Sequence, residues 1–176
     1  LEPGDRFRVA DLLSALLISS ANDAAQSLAI YHSGSITAFV NEMNERALQL
    51  GLVGTHYANP SGLDSDAQYS TPRDVAWLTA YAMRQPELAD RMERRWAKIR
   101  SVRGTEIALN HTHALMHGST SAIRAGKTGT TEGAGECLVS VIDKENLEYI
   151  VVILKSDQRY DDLRIILESL ALPVSS

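Results

Sequence analysis

Apolar residues change their spacing along the chain, and the change divides it in two. From Val9 to Ile18, Leu12, Leu13, Leu16 and Leu17 recur at helical spacing, and Ser19-Ser20 closes the run. Asn22 and Asp23 then precede Ala24 to Ile30, a second helical stretch that either polar residue can cap. After Gly34-Ser35, the positions Ile36, Phe39, Val40, Met43, Ala47 and Leu48 mark a longer amphipathic helix with Gly51 at its C-terminal end. Periodicity is lost over residues 52–70, where Asn59-Pro60-Ser61-Gly62-Leu63-Asp64 forms a turn cluster; long ordered loops of this kind often border sites. Thr71-Pro72-Arg73-Asp74 opens the next helix, with Thr71 as cap and proline at the first helical position, and this helix reaches Met83. A further helical turn or two is expected after Pro86.

Past about residue 95 the pattern becomes that of strands. Trp96 to Arg100 and Thr105 to Leu109 read as a hairpin around Ser101-Val102-Arg103-Gly104. Ile123 to Thr131, Cys137 to Ile142 and Leu147 to Lys155 follow as three strands, the last two joined by the turn Asp143-Lys144-Glu145-Asn146. Ile150 to Leu154 has no polar alternation, so both faces of that strand should be covered. A strand covered on both faces also wants neighbours on both edges, and the meander supplies only one. The open edge points to a strand supplied from elsewhere, or to self-association through that edge. Asp157 to Leu170 is expected to close the chain as a helix with Leu163, Ile166, Leu167 and Leu170 on one face. The fold class is therefore α+β, with a helical lobe over about 1–94 and a hairpin, sheet and C-terminal helix over about 95–170, all within one partial domain, 1–176.

Charge and cysteine content narrow the function classes. The net charge of −5, from 17 basic and 22 acidic residues, leaves no footprint for nucleic acid. The basic run Arg91, Arg94, Arg95, Lys98, Arg100 and Arg103 is interrupted by Glu93 and reads as solvated surface. Cys137 is the only cysteine, which excludes an intrachain disulfide and a multi-cysteine metal site. His111, His113 and His117 cluster in sequence, but the nearest carboxylate is Glu106 in the preceding strand, so they are read as loop histidines rather than metal ligands.

The chemistry concentrates in Gly126-Lys127-Thr128-Gly129-Thr130. A lysine, a hydroxyl and a residue without a side chain suit the edge of a cleft where backbone lies close to a ligand. Two uses compete. A phosphate-binding loop requires an earlier glycine and a following helix, neither of which is present, so nucleotide binding is the remote alternative. The other is the Lys-Thr-Gly strand of serine acyl-transferases acting on penicillin and D-alanyl peptides, which asks for Ser-x-Asn well upstream, between two helices. Ser20-Ala21-Asn22 meets that requirement.

With these motifs the chain resembles the serine-type D-alanyl-D-alanine carboxypeptidases, the low-molecular-weight penicillin-binding proteins. The likeness extends over nearly the whole sequence: Leu1 to Asp5, Ser20 to Ala24, Asn59 to Asp64 with Tyr69-Ser70-Thr71 and Arg73-Asp74, and Lys127 to Gly129 with Ala134-Gly135 and Cys137 to Val139. It implies a penicillin-binding, β-lactamase-like transpeptidase fold outside the cytoplasm, with no metal or organic cofactor. The implied partners are peptidoglycan stem peptides ending in D-Ala-D-Ala, and β-lactams. By the same resemblance Ser20 joins a proton relay, Asn22 holds the substrate amide and Lys127 stabilises charge. Thr128, Gly129 and Thr130 line the substrate strand, and Arg159 meets the terminal carboxylate.

Two departures stand out. His111-Thr112-His113 occupies the place where relatives commonly have Asn-Thr-Asn. The nucleophile motif Ser-x-x-Lys is absent, because the residues three before Lys98, Lys127, Lys144 and Lys155 are Arg95, Arg124, Val141 and Val152. The N-terminal strands and nucleophile helix of the fold are thus expected outside this sequence, and the chain alone is expected to be inactive. A non-catalytic module that binds peptidoglycan or a partner is the alternative.

Overall fold

The computed structural model describes residues 1–118 and 122–170. Five helices come first: α1 (Val9–Ser19), α2 (Asn22–Ser33), α3 (Ile36–Gln49), α4 (Pro72–Met83) and α5 (Pro86–Glu93). Side-chain caps fix two of the starts, since Ser35 Oγ accepts from the Ala38 N–H and Thr71 Oγ1 from the Asp74 N–H, each at 3.1 Å. The second half holds β1 (Trp96–Arg100), β2 (Glu106–Asn110), a short 3-10 turn at Ala114–His117, β3 (Ile123–Thr131), β4 (Gly135–Lys144), β5 (Leu147–Ser156) and α6 (Arg159–Ser169).

Strands β3, β4 and β5 form an antiparallel sheet in that order, and β1 and β2 a separate antiparallel hairpin. Glu145 and Asn146 turn β4 into β5 with φ of 51° and 65°, the left-handed pair that a two-residue hairpin demands. Helices α4 and α5 lie on one face of the sheet and α6 on the other. Leu138, Ile142, Val151 and Ile153 meet Leu163 and Leu167 of α6. Ala125, Val141 and Ile150 face Met92, Ala82 and Met83 of the helical lobe. The continuous apolar run of β5 is thereby explained: its α6 face is buried and its lobe face, through Ile150, Val152 and Leu154, is half-buried against a different layer. Among the described residues β5 pairs with β4 alone. A third cluster seats α1 on the hairpin through Ala15, Ile18, Ile99 and Leu109. The basic run is a surface as expected, with Arg94 on Asp90, and Lys98 and Arg100 on Glu106.

Several expectations are corrected. Neither Asn22 nor Asp23 is the cap residue of α2: the helix begins at Asn22, Ala21 precedes it without a side-chain cap, and Asp23 Oδ1 accepts from the Ala24 N–H at 2.8 Å inside the first turn. Helix α6 starts at Arg159 rather than Asp157, because Ser156 Oγ accepts from the Gln158 N–H at 2.9 Å and folds those residues into a turn. Lys127 sits mid-strand, with no helix after it, which removes the geometry a phosphate-binding loop requires. His111 and His113 are not ordinary loop side chains. They are 4% and 0% exposed, and His113 fills the space left by the missing side chain of Gly126.

Candidate active site

Strand alternation makes β3 two-sided. Lys127 pairs in register with Val139 and points into the helical lobe, while Thr128 and Thr130 point to the side that carries α6. On the lobe side, Lys127 Nζ donates to Ser20 Oγ at 2.6 Å, although the two residues are 107 apart in sequence. A second Nζ bond goes to the Thr128 carbonyl at 2.7 Å. Burial, with the positive charge of Arg159 second, lowers the Lys127 ammonium from 10.5 to about 8.

Ser20 reaches Lys127 through an unusual backbone. It terminates α1 in the left-handed region, φ 57° and ψ 39°, and its N–H donates to the Ala15 carbonyl. For a residue with a Cβ this conformation costs on the order of 1–2 kcal/mol. Glycine would relieve the cost but has no hydroxyl to give Lys127. Asn22 is exposed on the first turn of α2, two residues along from Ser20.

On the other side, Thr128 Oγ1 donates to Thr112 Oγ1 at 2.6 Å. Arg159 Nη1 donates to Thr130 Oγ1 at 2.6 Å and to the Gly129 carbonyl at 3.1 Å, so the first residue of α6 is tied directly to the end of β3. Glu136 Oε2 accepts from the Arg159 N–H at 3.0 Å and fixes the start of that helix. Gly129 is exposed, and a Cβ there would find only Cys137 Cβ, at 3.8 Å; the space in front of the strand is open to a ligand.

The structure thus joins Ser20 to Lys127, and Arg159 to Gly129 and Thr130. It adds residues that the motifs did not single out for this site. Asp64, in the long loop, accepts from Thr131 Oγ1 and from the Gly133 N–H, which lowers its carboxyl below the usual range and latches the loop to the end of β3. His113 bonds Ser140 Oγ at 2.8 Å behind the strand, and the His113 N–H donates to His111 Nδ1 at 3.0 Å. Burial drives both imidazoles from 6.5 to about 4, so they are neutral struts at neutral pH. Among the described residues no group of three or more His, Cys, Asp or Glu side chains is placed to hold a metal ion.

Residues 1–158 match the family model of the peptidase S11 D-alanyl-D-alanine carboxypeptidases. The chain belongs to that family. D-alanyl-D-alanine carboxypeptidase DacC of Escherichia coli K12 is 36% identical over 155 residues, which cover 88% of this chain and 38% of that protein. DacF of Bacillus subtilis 168 is 31% identical over 153 residues, covering 87% and 39%. A serine-to-alanine mutant of the Streptomyces K15 DD-transpeptidase superposes with a TM-score of 0.89 at 27% identity, covering 98% of this chain and 72% of that one. The chain therefore has the DD-transpeptidase, penicillin-binding fold, and it spans about two fifths of the length of these curated carboxypeptidases.

Proposed function

We propose that this chain is the cleft-forming part of the catalytic domain of a serine-type D-alanyl-D-alanine carboxypeptidase. The Lys127 to Ser20 contact carries the reading, because it brings the two family motifs together at one point. The serine nucleophile comes from a Ser-x-x-Lys segment outside the chain. A cavity of about 310 Å³ beside Lys127, walled by Val75, Leu78, Ala82, Met92 and Leu154, supports this placement, since it offers apolar room between lobe and sheet. The substrate is a peptidoglycan stem peptide ending in D-Ala-D-Ala, and the whole protein works outside the cytoplasm. No described helix is long and apolar enough to cross a membrane.

In this mechanism the nucleophilic serine oxygen attacks the penultimate D-Ala carbonyl and forms an acyl ester as the peptide C–N bond breaks. The proton lost by the serine reaches the departing amine of the last D-alanine. Ser20 is suited to that relay, because Lys127 donates to its oxygen and leaves the Ser20 proton to be passed on. Water then hydrolyses the ester and returns a proton to the serine. The Lys127 ammonium stabilises the negative charge that develops at the carbonyl oxygen. Asn22 holds the peptide amide. Thr128, Gly129, Thr130 and Arg159 bind the terminal carboxylate and the backbone beside it. The reading calls for no cofactor.

The gene product that carries this chain is tested by intact mass spectrometry before and after incubation with benzylpenicillin. A stoichiometric penicilloyl adduct outside residues 1–176, together with release of D-alanine from an N-acetylated D-Ala-D-Ala peptide, is expected. Peptide or peptidoglycan binding without adduct or release would instead identify a non-catalytic module.

A further inference from the structure

Thr112 is exposed, yet its backbone and hydroxyl touch all three parts of the cleft. Its N–H donates to the Ile18 carbonyl at 3.2 Å, at the end of α1 beside Ser20. Its carbonyl accepts from Tyr160 Oη at 3.4 Å, next to Arg159, and the same Tyr160 oxygen accepts from the Ala114 N–H at 2.8 Å. Its hydroxyl accepts from Thr128, next to Lys127. The flanking side chains are sunk: His111 and His113 are buried on either side of Thr112, and His113 is hydrogen-bonded to Ser140 of β4. A residue in such a position is held for what its side chain does.

We infer that Thr112 is a positioning residue for the substrate's terminal carboxylate, acting through Thr128; the inference rests on the peptidase reading above. Thr128 is 9% exposed, and its proton is directed at Thr112. An arriving carboxylate accepts the hydrogen bond from the Thr128 hydroxyl in place of Thr112, the proton staying on Thr128, because a charged acceptor outcompetes a hydroxyl. The Thr112 hydroxyl then reverses and donates to Thr128 Oγ1. The bond between the two threonines survives with its direction inverted, and each hydroxyl polarises the next. Without the Thr112 hydroxyl, Thr128 loses the partner that fixes its rotamer in the empty site and the donor that strengthens it in the filled one.

Thr112→Val keeps the shape and removes the hydroxyl, while Thr112→Ser keeps the hydroxyl. Both are made in the gene product that carries this chain. With an N-acetylated D-Ala-D-Ala peptide, Thr112→Val is expected to raise KM roughly three- to tenfold with kcat within about twofold of wild type, and Thr112→Ser to restore KM. The acylation rate by benzylpenicillin falls in parallel, whereas that by its methyl ester, which lacks the carboxylate charge, does not. A KM unchanged in Thr112→Val, equal damage from valine and serine, or an equal loss with acid and ester would overturn the assignment. A wild type that neither releases D-alanine nor reacts with penicillin overturns the peptidase reading, and the inference with it.

Discussion

Gly126 and Gly129 lie on the same strand and lack a side chain for different reasons. A Cβ on Gly126 would stand 2.5 Å from His113 Cδ2 and 2.7 Å from the Val139 carbonyl oxygen. The latter belongs to the sheet and cannot move aside. Gly126→Ala should therefore cost about 1–3 kcal/mol in urea unfolding, whereas Gly129→Ala should stay within about 0.5 kcal/mol of wild type and instead reduce penicillin acylation. Equal stability loss in both would refute the distinction. Lys127 adds a pH signature. Its folded value of about 8 lies below the ordinary 10.5, so between these limits the unfolded chain binds more protons and stability rises with pH. This contribution is complete above 10.5 and is lost as pH falls through 8. Measured against Lys127→Met, whose lobe has no charge to titrate, the wild type should gain relative stability from pH 8 to 10.5; a constant difference across that range would mean that the ammonium is not buried.

Single elements explain what was legible in the sequence. Helices α3 and α4 follow from apolar period and caps, and the meander follows from strand runs separated by turn residues, because these are local signals. The two halves of the site were legible as motifs, and Lys127 does meet Ser20. What sequence reasoning did not supply are the contacts between side chains that no local pattern encodes. Thr112 pairs with Thr128 through an exposed loop residue, and Asp64 latches a surface loop onto the β3 end. The histidines misled for a related reason. Imidazoles in a loop read as solvated, and only the close approach of His113 to Gly126 shows that the loop is folded under the strand. A glycine on the α6 side of the strand was the available signal, since strand alternation places Gly126 and Thr128 on that side and Lys127 on the lobe side.

For the molecule as a whole, the open side of β5 and the cavity beside Lys127 belong together. Val151 and Ile153 are buried beneath α6, and half-buried Leu154 lines the cavity, so β5 is covered on both faces yet, among the described residues, paired on one edge alone. Natural edges are blunted by charge, proline or strong twist, whereas Ile150-Val151-Val152-Ile153-Leu154 is a wholly apolar run with one edge that no described strand pairs with. A polypeptide of residues 1–176 alone should satisfy that edge with a second copy. Sedimentation velocity is expected to show mass rising with protein concentration, and hydrogen exchange to protect the β5 amides more in the associated species. Supplying the segment that carries Ser-x-x-Lys and its adjoining strands should compete for the same edge, dissolve the self-association and restore penicillin acylation together. A polypeptide that stays monomeric at every concentration, or one whose association survives the added segment, would show that the edge is not where the chain seeks its partner.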